Sequence, residues 1–206
     1  MRCSSLFFLL ALWSAAATAG SGPTVLVLGD SLSAAYGIAQ DRGWVALLQQ
    51  RLAERGLPHR LVNASVSGET TRGGLTRLPR LLEEHRPGLV VIELGANDGL
   101  RGISDRVLAD NLRGLVEAAT KSGARVLLLG VRLPPNYGAA FNSRFDRVFD
   151  EVARETQTSL VPFFLKGVAE DRALMLPDGL HPAAEAQPVL LENVWPALEP
   201  LLEATR

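Results

Sequence analysis

The stretch VLVLGDSLSAAYG, residues 25–37, decides how the rest of the chain is read. Four apolar residues of β type run directly into Gly29-Asp30-Ser31, and then into small residues that end at Gly37. A continuous apolar run of this length predicts a strand buried on both faces, as in a parallel sheet covered above and below by helices. A strand that stops on a glycine and carries a serine just past its end either exposes a nucleophile or makes an ordinary strand-to-helix turn. Which of the two holds depends on what the other segments bring to Ser31.

Comparable apolar runs recur at residues 24–28, 60–63, 89–94, 125–129 and 159–163, with amphipathic helical stretches between them. Trp44, Leu47, Leu48 and Leu52 share one helical face, and Gly56 closes that helix. Leu75, Leu78, Leu81 and Leu82 form a second stripe. Ser104 caps a third helix that turns Leu108, Leu112, Leu115 and Val116 inward, and Phe141, Phe145, Val148 and Val152 mark a fourth. Residues 182–204 read as a last helix that Pro188, Pro196 and Pro200 must kink or break. Strands alternating with helices across short loops predict one three-layer α/β domain: a flavodoxin-like, five-stranded parallel sheet with helices on both faces. Ligands of such sheets bind beyond the carboxyl ends of the strands. Ser31 lies at that edge, together with the loops at 65–69, 95–99, 133–138 and 176–182.

The chain has 206 residues, 47% hydrophobic and 21% charged, with a formal net charge of −1. That composition is globular, and without a basic excess it gives nucleic acid no phosphate-neutralising surface. Residues 1–19 read as a cleaved signal peptide. Arg2 supplies the positive start, Leu6 to Trp13 the apolar run and Ala17-Thr18-Ala19 the cleavage site. The run falls short of the ~20 apolar residues that span a bilayer. Residues 20–206 are then expected to be a periplasmic or secreted domain with no lasting membrane insertion. Cys3, the one cysteine, falls within the removed segment, so the mature chain offers no disulfide, no thiol nucleophile and no cysteine-ligated metal. No carboxylates and histidines stand at metal-ligand spacing, and neither a P-loop nor G-x-G-x-x-G follows any strand. No metal and no cofactor are expected.

A serine needs a base to take its proton, most often histidine. His59 and His85 read as surface or helix-end residues. His181 differs: in PDGLHPA it follows Asp178 by three residues, and Pro182 is placed to start the last helix. A carboxylate holding one ring nitrogen leaves the other free to face Ser31. The plain alternative makes Asp178 a turn residue and His181 a helix-start residue. Attack on an acyl group also needs donors for the developing oxyanion. Gly68 in NASVSGET offers a backbone N–H after the second strand, and Asn97 in ELGANDG offers a side-chain amide after the third. Each feature alone also fits a turn; their placement after different strands on one sheet edge gives them weight together.

These four blocks resemble those of the SGNH (GDSL) hydrolases: GDSLSAAYG, NASVSGET, GAND and DGLHP. GWVALLQQRL, GGLTRLPRLL, VVIELGANDGLRG, LPPNYG and LVPFFL resemble its branch of periplasmic thioesterases, lysophospholipases and arylesterases. The resemblance implies Ser31 as nucleophile, His181 as general base and then acid, and Asp178 as its orienting carboxylate. It implies an oxyanion hole made by the Ser31 and Gly68 backbone N–H groups and the Asn97 amide, and it makes Asp30 a structural residue of the nucleophile loop. Leu133, Pro134, Pro135, Asn136, Tyr137 and Gly138 would border the acyl site. The substrate would be a small-molecule ester or lipid, acted on by a monomer. Two other readings stay open: a carbohydrate deacetylase acting on acetyl esters, and a non-catalytic exported binding module. An α/β-hydrolase fold fits less well, because its G-x-S-x-G elbow is missing here.

Overall fold

The computed structural model describes residues 22–205; the expected signal peptide and Cys3 lie outside them. Five strands, β1 (Thr24–Gly29), β2 (Arg60–Asn63), β3 (Leu89–Glu93), β4 (Arg125–Leu129) and β5 (Ser159–Val161), form one parallel sheet in the order β2-β1-β3-β4-β5. The helices are α1 (Trp44–Glu54), α2 (Thr71–His85), α3 (Ala96–Leu100), α4 (Asp105–Lys121), α5 (Ala139–Thr156) and α6 (Gln187–Glu203). Every residue of β1 and β3 is buried, as strands enclosed on both faces must be. Helices α1 and α6 pack together on one face, while α2, α4 and α5 pack in series on the other.

This order fixes where a ligand can bind. The chain leaves β1 for β2 on one side, and then returns past β1 to β3 on the other. Right-handed crossovers put the two connecting helices on opposite faces, so a crevice opens between the ends of β1 and β3. Ser31 leaves β1 and Asn97 leaves β3 at that crevice.

Four local expectations change. Strand β5 stops at Val161 rather than residue 163: the Gly130 N–H still donates to the Val161 carbonyl, but the Gly130 carbonyl accepts from the Phe164 N–H rather than that of Phe163, so the parallel ladder slips by one residue past Pro162. The last helix begins at Gln187, not at residue 182, and is helical through Pro196 and Pro200 to Glu203. Both prolines are exposed, so the carbonyls they leave unbonded face water. Leu190, Leu191, Val194, Trp195, Leu198 and Leu202 bury the other face. Most of the loop expected at residues 95–99 is helical instead, in the short helix α3. His59 is buried, not at the surface, and its Nε2 lies 3.1 Å from Thr205 Oγ1.

The β3–α3 turn depends on Gly95, whose φ is +125°. A Cβ there would be strained by that backbone and would stand 2.9 Å from the Phe149 ring. Gly95→Ala is expected to destabilise the fold by about 1–3 kcal/mol. Urea unfolding measures this, and an unchanged midpoint would mean that the turn relaxes freely.

Candidate active site

Ser31 is carried on a tight turn that begins as β1 ends. Asp30 Oδ1 accepts from the Leu32 N–H at 3.0 Å, the Ala34 N–H donates to the Asp30 carbonyl, and the Tyr36 N–H donates to the Ser31 carbonyl. A short polar side chain that binds the backbone two residues on is the usual way to turn a chain without regular structure. The turn leaves Ser31 half-buried, facing the loop that carries His181.

That loop is built around Asp178. Its Oδ1 accepts from the backbone N–H groups of Leu180 and His181 at 2.9 and 3.0 Å, while Oδ2 lies 2.6 Å from His181 Nδ1. Partial desolvation raises the Asp178 pKa, but the Leu180 N–H, the His181 ring and the His181 N–H outweigh it and hold the carboxyl at about 2. An ionised carboxylate can only accept, so Nδ1 carries the ring proton and Nε2 is left as an acceptor. Nε2 lies 2.9 Å from Ser31 Oγ. The Tyr36 ring covers the imidazole, centroid to centroid 4.4 Å. Pro182 does not start a helix here. It pairs in an antiparallel bridge with Met175, and the Leu176 N–H donates to the His181 carbonyl at 2.7 Å, so the histidine sits in a pinned hairpin.

Asn97 reaches the same cleft as Ser31 and His181 from α3, just after β3, whereas Gly68, on the loop after β2, is not among the residues of the cleft wall. Gly68 has φ +80°, a conformation that turns the peptide in a way most residues resist. Arg101 Nη2 donates to its carbonyl at 2.9 Å, which ties the β2 loop to the end of α3. The Asn97 amide donates one N–H to Asp30 Oδ2 at 2.9 Å, and the residue lines the cleft; its nitrogen carries a second N–H.

Ser31, Asn97 and His181 share the wall of a cleft of about 460 Å³. Its other walls are mostly apolar, among them Leu100, Val131, Leu133, Phe163, Leu165 and Met175. Of the loop expected at the acyl site, Leu133, Pro134 and Pro135 line this cleft. Asn136, Tyr137 and Gly138 are not part of its wall; the Tyr137 hydroxyl instead donates to the Leu100 carbonyl at 3.4 Å. Asn142 holds the loop from behind, donating to the Leu133 and Pro134 carbonyls. Reading the sequence missed Arg101, Tyr36, Glu93 and the deeper cleft wall. Only Glu93 left a signal, as a charged residue closing the apolar run LVVIE.

The family model described as "GDSL-like Lipase/Acylhydrolase family" matches residues 27–187. The chain is 58% identical over 179 residues to "Esterase TesA" of Pseudomonas aeruginosa, covering 87% of this chain and 89% of that protein. It is 39% identical over 197 residues to "Thioesterase 1/protease 1/lysophospholipase L1" of Escherichia coli strain K12, covering 96% of this chain and 91% of that protein. A solved structure, "Crystal Structure of TesA", is similar with a TM-score of 0.85 at 57% identity, covering 86% of this chain and 99% of that one. With a matched span that runs from the end of β1 past His181, the chain belongs to the GDSL-like lipase/acylhydrolase family and is a serine hydrolase of ester bonds.

Proposed function

We propose that this chain is an exported esterase and thioesterase for medium and long acyl chains, with lysophospholipids and aryl esters among its substrates. Ser31, His181 and Asp178 are its catalytic residues. The observation that carries this reading is the path from Asp178 through His181 to Ser31, 2.6 and 2.9 Å, on the wall of an apolar cleft.

In the first half-reaction Ser31 Oγ bonds to the acyl carbon while His181 Nε2 takes its proton. The carbonyl electron pair moves onto oxygen, where the N–H groups of Ser31 and Gly68 and the Asn97 amide receive it. Collapse breaks the bond to the alcohol or thiol, which leaves with the proton from His181, and the acyl group stays on Ser31. Water then gives a proton to His181 and attacks the acyl carbon; the bond to Oγ breaks, Ser31 recovers its proton and the fatty acid departs. Asp178 keeps Nδ1 protonated throughout. Removal of residues 1–19 delivers residues 20–206 to the periplasm or beyond as a monomer that needs no cofactor. The basic start, apolar run and Ala17-Thr18-Ala19 support this, and among the described residues no helix is long and apolar enough to cross a membrane.

The apolar wall favours long acyl groups over acetyl, because each buried methylene contributes about 0.8 kcal/mol. Hydrolysis of p-nitrophenyl esters from acetyl to palmitoyl, beside palmitoyl-coenzyme A and a lysophospholipid, tests this. The expected result is a kcat/KM that rises with chain length beyond acetyl. Activity confined to acetyl esters would replace this reading with a carbohydrate deacetylase.

A further inference from the structure

Beneath the nucleophile turn, two carboxyl groups are buried together. Asp30 follows β1 and Glu93 ends β3, on neighbouring strands, and neither has any exposed surface. Gly29 makes the space for this. A Cβ at that position would stand 2.8 Å from Ser33 Oγ and 2.9 Å from Glu93 Oε2, so any larger residue would push the acid away.

Two adjacent buried carboxylates cannot both stay ionised, so one keeps a proton. Burial, then the charge of Asp30, push the Glu93 carboxyl well up. Burial also raises Asp30, but the Leu32 N–H, the Glu93 and Asn97 hydrogen bonds and the charge of His181 pull it back to about 6. The hydrogen bonds place the proton on Glu93: Asp30 Oδ1 and Oδ2 each accept from a donor, the Leu32 N–H and the Asn97 amide, whereas Glu93 Oε2 accepts from Ser33 Oγ at 2.8 Å and from the Asp30 N–H at 3.3 Å and no donor among the described residues reaches Oε1. An oxygen without a donor is where an acid proton sits.

A chain of contacts results. The Trp44 indole donates to Ser33 Oγ at 3.2 Å and Ser33 to Glu93, whose Oε2 also accepts from the Asp30 N–H at 3.3 Å, and Asp30 Oδ2 accepts from Asn97 at 2.9 Å. It starts at a fully buried tryptophan of α1 and ends at the amide that faces the cleft. An asparagine amide can present either its oxygen or its nitrogen to an oxyanion, and only the nitrogen helps. Asp30 settles that choice, because a carboxylate can bind only the N–H side of the amide.

We infer that Glu93 is a positioning residue: as a neutral acid it donates to Asp30, and Asp30 then holds one N–H of Asn97 so that the other points at the oxyanion. This rests on reading Asn97 as an oxyanion donor, and the test separates the two ideas. On p-nitrophenyl hexanoate, Asn97→Ala is expected to lower kcat about 10²- to 10³-fold. Glu93→Leu is expected to lower kcat up to about 100-fold, with KM little changed, by displacing the amide. Combined with Asn97→Ala, Glu93→Leu should have no further effect, because its target is gone. Glu93→Gln should keep kcat near the wild type, since a carboxamide still offers a donor to Asp30 and an acceptor to Ser33. Thermal melting identifies folded variants. Glu93→Asp, which keeps the acid but draws it back by one methylene, serves in the same cycle if the leucine variant does not fold. An equal loss from the Glu93 substitution with and without Asn97, or a glutamine variant as impaired as the leucine one, overturns the positioning role. Full activity in Asn97→Ala overturns the oxyanion reading instead, and the positioning role with it.

Discussion

Ser31→Ala is expected to leave a folded protein whose kcat on p-nitrophenyl esters falls by about 10⁴-fold or more. The substitution removes one oxygen from a half-buried side chain whose hydrogen-bond partner is the His181 ring. It leaves in place the Asp30 hydrogen bonds that shape the turn. Stability should therefore change little, while the atom that would bond to the acyl carbon is gone. Some rate above the uncatalysed reaction should remain, because the cleft and the oxyanion donors are untouched. Two measurements check this: the chain-length series repeated with the variant, and labelling by a fluorophosphonate, which should mark the peptide containing Ser31 in the wild type and nothing in the variant. Undiminished hydrolysis by a folded Ser31→Ala protein would move the nucleophile elsewhere.

The second large effect belongs to Asp178. Asp178→Asn is expected to lower kcat by about 10³- to 10⁴-fold without unfolding the loop. An asparagine Oδ1 can still accept from the Leu180 and His181 N–H groups, so the turn that presents the histidine survives. The loss occurs at the ring. An amide nitrogen beside Nδ1 donates where the carboxylate accepted, so it selects the tautomer with the proton on Nε2. That proton then faces Ser31 Oγ and blocks it from giving up its own. A variant that keeps most of its activity would make Asp178 a turn residue only, the alternative its spacing from His181 leaves open.

The same contacts predict an acid dependence. The Asp178 carboxyl is held at about 2, below its ordinary value of 3.8, so its hydrogen bonds stabilise the folded state above pH 3.8. That contribution fades as pH falls through about 2. The stabilities of the wild type and Asp178→Asn should converge over that interval, as urea unfolding between pH 5 and pH 2 would record. A difference that persists to pH 2 would mean that the carboxylate contributes nothing through its charge.

The sheet was the most legible part of the chain, because buried parallel strands leave uninterrupted Val, Leu and Ile runs that few other structures need. Its ends were less so: a one-residue slip after Val161 shortens β5, and α3 hid inside a turn-like GANDG. The error over α6 has one cause. Proline rules describe an isolated helix, whereas burial of Leu190, Val194, Trp195 and Leu198 offsets two missing hydrogen bonds when the prolines face water. His59 was misread for a related reason, since a short segment between a helix and a strand does not reveal that the C-terminal Thr205 closes over it.

By itself the sequence determined the fold class, and it singled out one sheet edge and Ser31, Gly68, Asn97, Asp178 and His181 as the candidates for the proposed chemistry. Each lies in a local block whose turn chemistry is written in neighbouring residues. The tertiary structure alone decided what those residues meet. Ser31 and His181 are 150 positions apart and Asn97 and Asp30 are 67 apart, yet each pair lies within 3 Å. Only the folded chain brings Glu93 under Asp30, and Tyr36 over the imidazole. The physical reason is range. Backbone conformation and burial pattern are set by neighbours a few residues away, and so leave periodic traces. A proton held by one of two buried acids, or an amide turned by a carboxylate, depends on the low-dielectric enclosure that packing creates, and no local pattern encodes it.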